Sequence, residues 1–304
     1  MKIIDIHAHL YYPDWYPYPF QNQLAINSLR SRKKQFDMAA AARELETLSK
    51  VLSDRDGSKC LRVMDQVGIE KRLLHVIDWG LQLGEPTCTI EDVHEAVLGV
   101  CRRHPDRLIG FAGVDPRRAD AVPLLTWAVD QLGAAGLKLH PTSREWTLYD
   151  DCVAALLEVV SKRKLPVMVH TGKTVDVLSD VNCQPAALVQ LATRFPSVDF
   201  IAGHSAFSNW RSFGPSPPPN LWFDISAWQD QLSIDADALK ADVQELLNAF
   251  PHRVFFATDS PFYGYNVTVF EARWIAFVQQ CAEEVGPEAL HSVFSGGPFA
   301  RTAC

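Results

Sequence analysis

Apolar positions along the chain follow two alternating rhythms. Short runs are nearly unbroken in β-branched, aromatic and other apolar residues: IDIHAHL (4–10), KRLLHVID (71–78), RLIGFAGVD (107–115), AGLKLHP (135–141), LPVMVHTG (165–172), VDFIAGHSA (198–206), LWFDIS (221–226) and RVFFATDSP (253–261). Such runs predict parallel strands buried on both faces. Between most of them apolar residues recur at helical spacing, as with Val93, Val97, Val100 and Cys101 in the segment that Thr89 opens as a cap. Further helices are expected at 36–54, around 58–67, in ADAVPLLTWAVDQLG, LYDDCVAALLEVVSKRK, QPAALVQLATRF and ADALKADVQELLNAF, and twice after the last strand.

Eight strands with helices between them, and 250 positions from His9 to Asp259, fit a single (β/α)8 TIM barrel. A doubly wound open sheet would also alternate, but it usually carries a Gly-rich phosphate turn after its first strand, and this chain lacks one there. The barrel is expected as one domain over 1–304, with an insertion at 11–57 whose first part, YYPDWYPYPF (11–20), reads as an irregular loop.

Composition narrows the function classes. The chain is 47% hydrophobic, enough for a large core. A net charge of −7 and a pI of about 5.8 point away from nucleic acid and acidic membranes. Seven scattered Cys (60, 88, 101, 152, 183, 281, 304) without CxxC spacing predict reduced thiols in a cytoplasmic protein. Asp5, His7 and His9 interrupt what would be the apolar stretch of a signal peptide, and an 18-residue apolar run is lacking.

The chemistry gathers at strand ends. In IDIHAHL, alternation would place Asp5, His7 and His9 on one face of the strand, with Ile4, Ile6 and Ala8 on the other. The first strand closes on His7 and His9, the fourth on Lys138 and His140, the fifth on His170, the sixth on His204 and the eighth on Asp259. A barrel keeps its active site at the C-terminal ends of its strands, so closure brings these groups to one mouth. Imidazoles with a carboxylate suit a divalent metal, Zn²⁺ first, with Mn²⁺ or Fe²⁺ as alternatives.

HAH on the first strand, VMVHTG on the fifth, IAGHSA on the sixth and ATDSP on the eighth resemble the metal-dependent amidohydrolase superfamily. More narrowly the chain is similar to its "amidohydrolase 2" branch, related to aminocarboxymuconate semialdehyde decarboxylase. The resemblance implies that His7, His9, His170 and Asp259 hold the metal and that Asp259 and His204 are catalytic; Asp5, nearer the base of the barrel, reads as a structural partner rather than a ligand. Lys138 stands where two-metal members carry a carbamylated lysine; single-metal relatives have similar GxKxHP stretches, so one metal is the reading, with Lys138 and His140 as additional site residues. Ser205 and Ala206 follow His204 where decarboxylase relatives often have a Gly-rich stretch.

The implied reaction is hydrolysis of an amide, lactone or ester by metal-activated water; decarboxylation of an aromatic or unsaturated acid, or a cyclisation, would use the same parts. Tyr11, Trp15, Trp79, Trp146 and Trp228 in loops after strands suggest an aromatic rim for a small substrate, and Arg144 and Arg211 a pair for its carboxylate. RSRKK (30–34) reads as a solvated turn and GPSPPPN (214–220) as a stiff connector. Relatives suggest a homodimer.

Overall fold

The computed structural model describes residues 2–34, 37–262 and 265–300. Eight strands form one parallel sheet in sequence order: β1 (Ile3–Ala8), β2 (Ile69–His75), β3 (Leu108–Gly113), β4 (Leu137–Leu139), β5 (Val167–His170), β6 (Phe200–Gly203), β7 (Leu221–Asp224) and β8 (Val254–Phe255). Each lies within one of the expected runs or overlaps it. The barrel closes between β8 and β1, where Asp259 N donates to His7 O (2.7 Å) and His9 N to Ser260 O (2.7 Å). The expected (β/α)8 architecture is therefore present.

The helices are α1 (Tyr18–Ser31), α2 (Met38–Leu52), α3 (Ser58–Val67), α4 (Gly80–Leu83), α5 (Ile90–Arg103), α6 (Ala121–Asp130), α7 (Asp151–Lys162), α8 (Pro185–Arg194), α9 (Ala236–Ala249), α10 (Val267–Val285) and α11 (Pro287–Phe294). Thr89 caps α5 in a reciprocal capping box with Asp92. Among the described residues no helix is long and apolar enough to cross a membrane. The six described cysteines are free; Cys304 lies outside the described residues.

The insertion corrects the sequence reading. The stretch expected to be irregular holds a 3₁₀ turn at Pro13–Trp15 and the start of α1, with Pro19 in the first helical turn, where its missing N–H costs nothing. Phe36, expected to begin the second helix, lies outside the described residues; Asp37 caps α2 by accepting from Ala40 N. α1 and α2 pack on each other and are tied by the buried Glu44 of α2, which accepts from Ser28 and Arg32 and from Tyr265 beyond β8. Within the RSRKK stretch, Arg32 is thus engaged, and Arg30 reaches Asp176 (2.7 Å).

Alternation separates two cores. Ile4, Ile6, Leu73, Ile109, Phe111, Met168, Ile201, Phe255 and Ala257 fill the barrel, with Phe299 packed among them. Their strand neighbours Ile3, Leu74, Leu108, Ala112, Val167, Val169, Phe200 and Phe223 belong to the layer under the helices. β1 departs from this rule: its register shifts between Asp5 and Ala8. Ile4 and Ile6 point inward and Asp5 outward, and past the irregularity His7 and His9 point inward. Asp5, His7 and His9 therefore do not share a face. Asp5 instead meets Arg72 Nε (2.9 Å) and Thr258 Oγ1 (2.6 Å), and Arg72 also meets Glu271 of α10 (2.7 Å). Burial pushes the Asp5 carboxyl up to about 6, against the pull of Arg72.

Candidate metal centre and active site

The strand ends converge above the barrel core. His9 Nδ1 lies 2.8 Å from the carbonyl of His75, which can only accept, so the proton sits on Nδ1 and Nε2 keeps its lone pair. That lone pair faces Asp259 Oδ1 at 3.1 Å. His7 repeats the logic: Nδ1 donates to Asp224 Oδ2 (2.9 Å), and Nε2 lies 3.6 Å from the same Asp259 oxygen. His7, His9 and Asp259 offer ligand atoms that all lie within 4.8 Å of one another. Three acceptors facing each other in a buried site repel unless a cation joins them. This donor set fits a divalent metal, with Asp224 and the His75 carbonyl fixing the ring orientations behind it.

Lys138 is buried at the same point, with Nζ 2.9 Å from His7 Nε2. Burial pushes its ammonium down to about 8, although Asp224 and Asp259 favour the charge. His170 sits one step away. Its Nε2 donates to Lys173 O (3.1 Å), while Nδ1 is buried without a hydrogen-bond partner among the described residues. An orphaned imidazole nitrogen beside the acceptor cluster again suits a cation, although neither that tight group of three nor a second one, His7, His204 and Asp224, includes His170. His140 stacks on His170 at 4.3 Å, and Trp79 Nε1 lies 3.2 Å from His140 Nδ1. Burial, reinforced by Lys138 and neighbouring rings, pushes His7, His140 and His170 well below the usual imidazole range.

His204 is oriented by a relay the sequence reading missed. Ser226 Oγ donates to Asp224 Oδ1 and lies 2.8 Å from His204 Nδ1. The relay and the Ser226 carbonyl (3.4 Å) hold the proton on Nδ1, leaving the lone pair on Nε2. Burial lowers this pKa as well, against Asp259 and Asp224. The backbone from His204 to Phe207 runs through four consecutive positive φ values, and Asp259 also has positive φ; such strained positions cluster at functional sites. Asp224 ends β7 as the other polar residues end their strands, so the strand-end rule applied to LWFDIS would have found it. His75 ends β2 in the structure but lies inside the run KRLLHVID, so the same rule would have passed over it.

Above these groups lies a cavity of about 770 Å³. Phe20, Trp79, Phe207, Trp228 and Phe262 supply its aromatic walls. Trp79 and Trp228 thus line it, and Trp228 Nε1 donates to His204 O (2.7 Å). The other expected contacts are placed elsewhere. Tyr11 is buried on a second, smaller cavity, and Trp15 and Trp146 are buried away from the large one. Arg144 is exposed outside the cavity, and Arg211 is spent on Asp242 (2.9 Å) and Glu245 of α9.

With that geometry in place, comparison with known proteins is informative. The family described as Amidohydrolase (Amidohydro_2) matches residues 4–298. The chain belongs to this family. Protein fluG of Emericella nidulans is 26% identical over 173 residues, which is 56% of this chain but only 17% of that protein. Among solved structures, the chain resembles 5-carboxyvanillate decarboxylase from Novosphingobium aromaticivorans, complexed with manganese and 4-hydroxy-3-methoxy-5-nitrobenzoic acid (13% identical, 95% of this chain and 94% of that one, TM-score 0.59). It also resembles a probable 2-pyrone-4,6-dicarboxylic acid hydrolase from Acinetobacter baumannii with citric acid bound (15% identical, 98% of both chains, TM-score 0.58). At these identities the likeness concerns the fold.

Proposed function

We propose that the chain is a Zn²⁺-dependent hydrolase of a small carbonyl compound, an amide, ester or lactone with an apolar or aromatic body. The observation that carries this reading is the meeting of His7 Nε2, His9 Nε2 and Asp259 Oδ1, all acceptors, at the floor of an aromatic-walled cavity. His7, His9 and Asp259 would hold the ion, with His170 completing the set. When bound, the metal supplies a Lewis acid and lowers the pKa of water at the site. Asp259 takes the proton of the attacking water. His204, with its Nε2 lone pair, accepts that proton from Asp259 and delivers it to the leaving group as its bond to the carbonyl carbon breaks, while Ser226 and Asp224 hold the ring. Trp79 and Trp228 orient the flat body of the substrate.

Decarboxylation is the second reading. It is supported by the buried Lys138 ammonium beside His7, a proton donor for the carbon that loses CO₂, and by the likeness to a decarboxylase with bound manganese. Elemental analysis after purification, then reconstitution of chelated protein with Zn²⁺, Mn²⁺ or Fe²⁺, tests the metal. A panel of amides, esters, lactones and aromatic acids, assayed for both acid and CO₂ release, tests the reaction. One metal per chain and acid release abolished in Asp259→Asn are expected. Full activity in chelated protein overturns the reading. We further propose a cytoplasmic protein, acting on a small molecule as a homodimer.

A further inference from the structure

Beyond the metal centre, one wall of the cavity carries two adjacent acceptors, Gln229 and Asp230. Ala227 adopts a positive φ of 65°, and the turn that follows presents Trp228, Gln229 and Asp230 to the cavity. Gln229 Nε2 donates to the carbonyl of Thr258, which fixes the amide orientation, because a carbonyl can face only the NH₂ side. Gln229 Oε1 is then an acceptor, and it is buried without a donor among the described residues. The adjacent Asp230 carboxylate opens onto the cavity and has no side-chain partner among the described residues. Asp230 is exposed as a residue; partial burial of its carboxyl first, and the Asp259 carboxylate second, push its pKa up to about 6.

The other charged groups around the cavity are largely committed. Asp176 is paired with Arg30, Asp242 with Arg211, and Asp235 caps α9. Lys173 and Arg273 also line the cavity, both exposed, and neither acts appreciably on Asp230. The 229–230 wall is therefore a local excess of acceptors and negative charge beside the aromatic faces of Trp228 and Phe207. Aromatic faces and a carboxylate together are what a cationic nitrogen seeks.

We infer that Asp230, with Gln229, selects substrates that carry a cationic nitrogen on an apolar body, and rejects anionic ones. This deepens the hydrolase reading and rests on it for the reaction, but the recognition can be tested without turnover. The probes are benzamides bearing an aminomethyl, an ethyl or a carboxymethyl group at ring position 3 or 4. They share the ring and amide; the aminomethyl and ethyl groups match in size and differ in charge, and the carboxymethyl group is anionic and larger. Binding to the full-length, zinc-loaded protein is measured by calorimetry at pH 7.5, alongside ammonia release.

The ammonium probe is expected to bind about ten- to a hundredfold more tightly than the ethyl probe, the range of a hydrogen bond to a charged group. The carboxymethyl probe is expected to bind weakest. In Asp230→Asn the ratio of ammonium to ethyl probe collapses to within about threefold, with metal content retained, and Asp230→Glu restores part of it. Equal binding of the ammonium and ethyl probes, tightest binding of the carboxymethyl probe, an unchanged ratio in Asp230→Asn, or binding of none of them overturns the inference. Absence of ammonia release with the binding order intact refutes hydrolysis and leaves the recognition standing; ammonia release without the order does the reverse.

Discussion

Replacing Asp224 with Asn tests whether the network behind the metal centre does what its geometry requires. The substitution keeps the shape of a fully buried side chain. Asp224 Oδ1 accepts from His204 N (2.9 Å), Ser226 N (2.9 Å) and Ser226 Oγ, so the amide oxygen must stay on that side. The amide NH₂ then faces His7 Nδ1, at the position where Oδ2 stands 2.9 Å away. Two donors cannot share that contact, so His7 must move its proton to Nε2. Nε2 is the atom that faces Asp259, and once protonated it cannot bind a metal.

The magnitude follows from two routes. A lost hydrogen bond to a charged group costs about 1.5–3 kcal/mol. Loss of a partner behind a ligating imidazole weakens metal binding by about 10- to 100-fold. At roughly 1.4 kcal/mol per factor of ten these agree. Competition for Zn²⁺ with a chromophoric chelator at pH 7.5 measures the change. Circular dichroism on chelated protein should show that the variant is folded, since burial already raises the pKa of Asp224 and weakens its hold on a charge. A folded Asp224→Asn protein with zinc affinity within about threefold of wild type would refute the reasoning.

Three further outcomes follow from the same network and its supports. Arg72→Met strands the buried carboxylates of Asp5 and Glu271 without their cation; removal of one partner from such a pair costs about 3–5 kcal/mol, measurable by urea denaturation, and a cost below 1 kcal/mol would contradict the network. Gly113→Ala at the end of β3 drives a Cβ into the Val76 carbonyl, a backbone atom that cannot swing away, so the variant should lose stability or fail to fold, whereas Gly133→Ala meets open space and pays only for its positive φ. His7, His75, His94, His140, His170 and His204 all have pKa values lowered by burial, so the unfolded chain takes up protons below about 6.5 that the native one refuses. Stability of the chelated protein, present above that pH, should therefore fall as pH drops from 6.5 toward 5, by up to about 1.4 kcal/mol per pH unit per histidine. The raised pKa of Asp5 works in the opposite sense over the same window; a melting temperature flat across it would show that the rings are not held neutral.

Much of this molecule is legible in its residues, because burial on both faces of a parallel strand is written locally as an unbroken apolar run. The eight runs located the strands, and polar residues at the ends of five of them located His7, His9, Lys138, His140, His170, His204 and Asp259. The barrel rule then gathered them without any knowledge of distance. Asp224 ended its run in the same way but was read as ordinary strand. The tertiary structure decided what depends on partners far along the chain. Asp5 alternates perfectly with His7 in sequence, yet an irregularity in β1 turns His7 and His9 inward and leaves Asp5 facing outward, to the network of Arg72 and Glu271, 67 and 266 positions away. Arg211 looks free in its loop until α9 brings up Asp242 and Glu245. Gln229 offers its amide oxygen beside Asp230 only because the carbonyl of Thr258, 29 positions on, takes up the amide NH₂. Periodicity records which face is buried; it carries no information about which atoms meet there, since hydrogen-bond partners are set by chain closure rather than by neighbours in sequence.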